Sequence, residues 1–184
     1  MKRRVAISAG HSNVPGQDMG AKGNLLTEGS EAVILRNLIV DRFKERNEVI
    51  SIDPDNSVTG KTVALFKQYF NANDIVVDIH FNASSNPTAT GCEVLVPAVA
   101  SATELEIAGT LALDISKVLG IKNRGVKTEL QSARKKLLWM TIPGENILIE
   151  ICFISNDEDV RKYITNKEQL AKSIADVLIF YKNM

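Results

Sequence analysis

The amino-acid sequence predicts an α/β fold: one domain over residues 1–184, with a mostly parallel twisted sheet of about six strands flanked by helices on both faces. Three observations carry this reading. Short β-branched apolar runs alternate with longer segments of helical periodicity, the pattern of strands joined by helical crossovers. No internal repeat, low-complexity stretch or linker interrupts the alternation. The 184 residues are 45% hydrophobic and 24% charged, an ordinary globular composition. A chain of that length can bury roughly 70% of its unfolded surface in one core, so it needs no disulfide or metal staple.

The elements follow in order. Residues 5–7 form a short apolar strand after a basic start. Over residues 29–46 the apolar side chains Val33, Ile34, Leu35, Leu38, Ile39 and Phe43 recur at helical spacing, with charged residues on other faces. Residues 49–52 read as a strand stopped by Asp53-Pro54, and 62–71 as a helix built on Val63, Leu65, Phe66 and Phe70. A β-branched strand over 75–79 ends at His80, and 92–96 is another strand. Ser101-Ala102-Thr103-Glu104 has the form of a capping box and opens a helix that Gly120 closes. Residues 146–153 are almost continuously apolar, broken by one carboxylate, Glu150. Thr165-Asn166-Lys167-Glu168 opens a last helix reaching about Tyr181.

Charge and cysteine content exclude several function classes. Twenty-two basic residues balance 22 acidic ones, so no net field draws the chain to nucleic acid or a membrane surface. Substrate recognition must therefore be local. Cys92 and Cys152 lie in apolar runs and read as small buried hydrophobes, with no C-x-x-C pair. The basic N-terminus lacks the apolar core of a signal peptide, and no stretch approaches the roughly 20 apolar residues of a membrane span.

The chemistry-bearing residues stand out against this frame. The two histidines, His11 and His80, both follow predicted strands. Ligands of open α/β sheets gather at the carboxyl ends of strands. Each imidazole is therefore either a metal ligand at a shared rim or a hydrogen-bonded residue of the fold. An ionised Glu150 in a buried strand needs a metal or a basic partner, because burying an unpaired carboxylate costs several kcal/mol. Glu28, just before a predicted helix, could simply favour that helix's dipole.

Four segments at these residues resemble the zinc-dependent N-acetylmuramoyl-L-alanine amidases (amidase type 3) of peptidoglycan metabolism. They are Ile7-Ser8-Ala9-Gly10-His11-Ser12 with Asp18-Met19-Gly20-Ala21 and Gly23; Thr27-Glu28; Asp78-Ile79-His80-Phe81-Asn82-Ala83; and Ile147 to Asn156 around Glu150. Asn123-Arg124-Gly125-Val126-Lys127 is similar to a further family segment. The likeness spans nearly the whole chain in the family's order. Ser8, Ser12, Ile151 and Cys152 depart from the usual pattern without removing a site residue.

The resemblance implies one Zn2+ per chain, held by His11, Glu28 and His80, with Glu150 as catalytic acid and base. Glu31, three residues beyond Glu28, is the competing second ligand. A His2Glu set leaves a position for water and a net positive site that acidifies it. The bond implied is the amide between N-acetylmuramic acid and the L-alanine of the stem peptide, and peptidoglycan is the partner. Asn82 is a candidate substrate-binding residue, or else a turn residue capping local backbone. Asp18 and Asp78 are further acids near the site, more simply turn or supporting residues. No segment corresponds to the inserted helix that blocks the site in some members, so the groove should be open. Lacking an export signal, the chain is expected to be cytoplasmic until released to the wall, or a module of a secreted protein. Two other readings remain: a non-catalytic wall-binding module of the same fold, and a zinc hydrolase of another amide.

Overall fold

The computed structural model describes residues 2–53 and 59–184, so Met1 and the Pro54 half of the predicted strand stop lie outside the described residues. In chain order the elements are β1 (Val5–Ala9), β2 (Lys22–Gly23), β3 (Leu26–Thr27), α1 (Glu28–Glu45), β4 (Ser51–Ile52), α2 (Thr59–Tyr69), β5 (Ile75–Asn82), β6 (Cys92–Val96), α3 (Ala102–Leu119), β7 (Asn123–Thr128), β8 (Glu145–Phe153) and α4 (Asp157–Asn183). Two 3-10 turns, Glu129–Gln131 and Leu138–Thr141, lie between β7 and β8. The main sheet has the order β4-β1-β5-β8-β6-β7. All its pairings are parallel except β6 against β8. The predicted fold class holds.

Strand alternation gives the sheet two unlike faces. Val5, Ile7, Ile75, Val77, Ile79, Val94, Ile147 and Ile149 point to one side. There they join the apolar stripes of α1, α3 and α4, such as Leu35, Leu111 and Leu178, in one continuous core. The opposite face is split along its length. Its N-terminal half, with Ala6 and Val76, is covered by Val63 and Phe66 of α2 and by Phe70 just past it, together with Trp139 and Ile142. Trp139 packs edge-on against Phe66, with ring centroids 5.8 Å apart. Its C-terminal half carries Asp78, His80, Asn82, Leu148, Glu150, Glu93 and Leu95, and these line an open groove. The uncovered half-face is where polar side chains replace the apolar ones of the same strands.

Local signals account for most element ends. Ser101 and Glu104 form the expected reciprocal capping box on α3, and Gly120 ends that helix in the left-handed region at φ 62°. The last helix departs from expectation: α4 starts at Asp157, not near Thr165. The Asn156 side chain caps it by accepting from the Asp159 amide at 2.9 Å, and Asp157, Glu158 and Asp159 complement the helix dipole. Thr165 lies inside the helix, its hydroxyl donating to the Arg161 carbonyl at 2.8 Å. Strand β5 likewise runs past His80 to Asn82, with a register shift between those residues. The β2–β3 hairpin and β7 were not foreseen as strands; the first two are only two residues long each.

Both cysteines are free and buried, and burial pushes the Cys92 thiol up to about 12. Among the described residues no helix is long and apolar enough to cross a membrane.

Asp159 ties three elements together. Its carboxylate accepts from the Thr90 hydroxyl at 2.5 Å and from the backbone amides of Gly91 and Phe153, each at 3.0 Å. Replacing it with alanine strands two buried amide donors, which should cost about 2–4 kcal/mol. Urea unfolding of Asp159→Ala against wild type, both stripped of metal, measures that loss; a difference below about 1 kcal/mol would contradict this account.

Candidate active site

The groove, of about 1020 Å³, opens at the carboxyl ends of β1, β5 and β8. His11 reaches it from just past β1, where Gly10 continues the sheet by donating to the Ile79 carbonyl at 2.9 Å. Gly10 has to be glycine: a Cβ there would lie 2.1 Å from His80 Nε2. Gly20 is similarly constrained, at φ 69° and with any Cβ 2.5 Å from Glu28 Oε2. The loop bearing Asp18 is thus pressed against Glu28 and the His11 ring.

Glu28 begins α1 and is 4% exposed, yet its carboxylate is fully engaged. Oε1 lies 2.8 Å from His80 Nδ1 and accepts from the Phe81 amide at 3.1 Å. Oε2 accepts from the Ala21 amide at 2.8 Å and lies 3.5 Å from His11 Nε2. Burial alone would raise its pKa, but the His80 bond, both imidazoles and the Ala21 amide outweigh that and lower it. His11, Glu28 and His80 offer donor atoms all within 4.8 Å of one another, a group able to hold a metal ion. Glu31 is not part of it. It is buried beside Tyr163, whose hydroxyl lies 3.4 Å from the Glu31 carbonyl.

Asp78 lies on the groove face of β5 and holds His80 Nε2 at 3.0 Å, leaving Nδ1 directed at Glu28. Burial opposes protonation of His80, yet Asp78 and Glu28 together raise its pKa well above the ordinary value. His11 Nδ1 faces Asp18 at 3.3 Å but is buried and has no hydrogen-bond partner. Both imidazoles keep 15% of their side-chain surface open to solvent, so the cluster is reachable.

Next to this cluster runs a row of acids set by the sheet register. His80 pairs with Glu150, and Glu150 pairs with Glu93. Glu150 Oε2 is buried and has no hydrogen-bond partner. Burial, offset by His80 and reinforced by Glu28, Glu93 and Asp78, pushes its pKa up to about 7. Glu93 behaves differently. It accepts from Arg124 Nε at 2.6 Å, Lys127 Nζ at 2.5 Å and Asn82 Nδ2 at 3.1 Å. Burial works against these partners, which nevertheless hold its carboxyl below the usual range. Asn82 also accepts from the Ala83 amide at 2.9 Å, so both ends of its side chain are held.

A model of the N-acetylmuramoyl-L-alanine amidase family (Amidase_3) matches residues 5–179. The chain belongs to this family. Among solved structures, an amidase from Neisseria meningitidis described as putative shares 27% identity at a TM-score of 0.78, covering 97% of this chain and 94% of that one. The catalytic domain of the CD27L endolysin, which targets Clostridia difficile, shares 25% identity at 0.72, covering 97% of both chains. An N-acetylmuramoyl-L-alanine amidase from Clostridium difficile 630 shares the fold, with 23% identity at a TM-score of 0.79, covering 98% of this chain and 96% of that one. No curated protein matches the chain. An amidase-family enzyme needs reacting groups in one groove. Here His11, Glu28, His80, Glu150 and Asn82 all line the same one.

Glu93, Arg124 and Lys127 line the groove but were not among the predicted site residues. Their signal was the two-residue period. Asp78, His80 and Asn82 share one face of β5, and Glu93 alone is charged in Cys92-Glu93-Val94-Leu95-Val96.

The raised Glu150 pKa bears on stability. Its carboxyl ionises near 4.5 in an unfolded chain but keeps its proton to about 7 when folded. The folded state therefore binds more protons between those values, and its stability declines as pH rises through them. Metal-free Glu150→Gln should gain on wild type by about 1–3 kcal/mol between pH 4 and pH 8. Unfolding curves at the two pH values test this, and an advantage independent of pH would contradict it.

Proposed function

We propose that the chain is a zinc-dependent hydrolase of the amide between N-acetylmuramic acid and L-alanine in peptidoglycan, acting as one catalytic domain over residues 1–184. The observation carrying this is the convergence of His11, Glu28 and His80 beside an unpartnered Glu150 on the uncovered half of the sheet. Two imidazoles and a carboxylate are a known donor set for catalytic zinc. The 4.8 Å spread of their donor atoms suits such an ion. When bound, zinc polarises the amide carbonyl and acidifies a water.

The protein's own residues supply the rest. Asp78 fixes the His80 ring through Nε2 and so keeps Nδ1 directed at the cluster. Glu150 takes a proton from the attacking water and returns it to the departing L-alanine amine. A carboxyl near neutrality suits both halves of that task. Asn82, held by Glu93 and Ala83, forms part of the wall on which substrate lies. Membership of the N-acetylmuramoyl-L-alanine amidase family, and the catalytic domain of an endolysin among the similar structures, support peptidoglycan as the substrate.

Three outcomes are expected. Peptidoglycan digested by the protein should gain free L-alanine amino termini without new reducing sugar ends. Glu150→Gln should retain zinc yet lose about 10²–10⁴-fold in turnover; near-normal turnover would remove Glu150 from the mechanism. Third, Asp78→Asn should weaken zinc binding about 10–100-fold, read by competition with a chromogenic chelator. Unchanged affinity would show that the Asp78–His80 contact does not support the metal.

A further inference from the structure

The groove is electrically two-sided. At one end stand the acids and imidazoles of the cluster, with Asp18, Asp78 and Glu150. The groove is also lined by four cations from one stretch of chain, Arg124, Lys127, Arg134 and Lys136, the first two of them on β7 at the margin of the sheet. The net charge of the chain is zero, so this segregation is local.

The cations are positioned by specific contacts. Arg124 and Lys127 share the single carboxylate of Glu93, at 2.6 and 2.5 Å, which leaves one positive charge in excess at the wall. Arg124 also stacks over Phe153, 5.0 Å from the ring centroid. Arg134 and Lys136 are exposed, on a loop that Glu129 closes by accepting from the Leu137 amide at 2.7 Å. Glu129 is the acid nearest to them in sequence. Its other oxygen accepts from the Ala98 amide at 3.3 Å, so backbone amides occupy its carboxylate.

We propose that this wall is a carboxylate-recognition subsite for the peptide half of the substrate and so decides which way the substrate lies in the groove. The inference rests on the amidase reading above. The two halves flanking the scissile amide differ in charge. The sugar amine is N-acetylated and its acid group is consumed in the amide, so that half is neutral. The peptide half ends in a carboxylate. Only the peptide half gains from a cationic wall, and the sugar half falls to the opposite end.

The sheet also measures the distance. Glu93 stands two strands from His80, across β8, in one register row. At roughly 4.8 Å per strand that is about 10 Å. An extended peptide covers about 3.3–3.6 Å per residue. The subsite therefore suits a carboxylate about three residues beyond the scissile bond.

The test uses zinc-loaded protein and two probes: N-acetylmuramoyl-tripeptide with free carboxylates, and the same compound with every carboxylate amidated. Wild type should favour the free acid by about five- to tenfold in kcat/KM, mostly through KM, and added salt should narrow the preference. In Arg134→Ala/Lys136→Ala, which alters exposed side chains, the preference should fall toward one. A wild type that cleaves both probes equally, or a double variant that keeps the full preference, overturns the subsite and leaves the amidase reading standing. Failure of wild type to cleave either probe overturns the amidase reading, and the subsite with it.

Discussion

A buried carboxylate must be satisfied from every side, and Glu28 imposes that demand on the whole site. Its two oxygens take hydrogen bonds from the amides of Ala21 and Phe81 and contacts from both imidazoles. These partners come from the loop after β1 and from β5, while Glu28 itself stands at the start of α1. An uncompensated carboxylate there would cost several kcal/mol. The loop, the helix entry and the strand are therefore fixed relative to one another by a single side chain. The glycines at positions 10 and 20 are the steric counterpart, since they let backbone approach the rings that the charge draws together.

The charge pattern along the register row has a simple logic. Glu28 and Glu93 are held ionised by partners, whereas Glu150, between them across the sheet, has none for one oxygen. Neighbouring acids that stay ionised make it harder for Glu150 to ionise too. One carboxyl of the row is left able to exchange a proton near neutrality. Ionised acids and one that titrates near neutrality thus coexist within two strand spacings.

Much of this was legible in the sequence. The β-branched run before His80 and the capping box at Ser101 fixed elements that the structure contains. The motifs around His11, Glu28, His80 and Glu150 named residues that meet in one groove. Other features depend on tertiary geometry. The antiparallel course of β6 sets Glu93 against Glu150, and no local pattern announces strand direction. Strand β7 is rich in charged and glycine residues because it is an edge strand, so its propensity signal is weak. The start of α4 was missed because its first turn is acidic and polar and its apolar stripe emerges only at Val160 and Tyr163.

The position of β7 at the margin of the sheet has an evolutionary consequence. It pairs with β6 alone, and the stretch that follows it closes on itself through Glu129 and Gln131. Exchanging such a segment disturbs no central pairing and leaves the residues around Glu28 untouched. Residues 123–137 can therefore vary without unpicking the central strands, and what such variation reaches is Glu93, through Arg124 and Lys127. A change at this margin is felt at Glu150 through Glu93, so the edge strand tunes the middle of the sheet by charge and not by pairing.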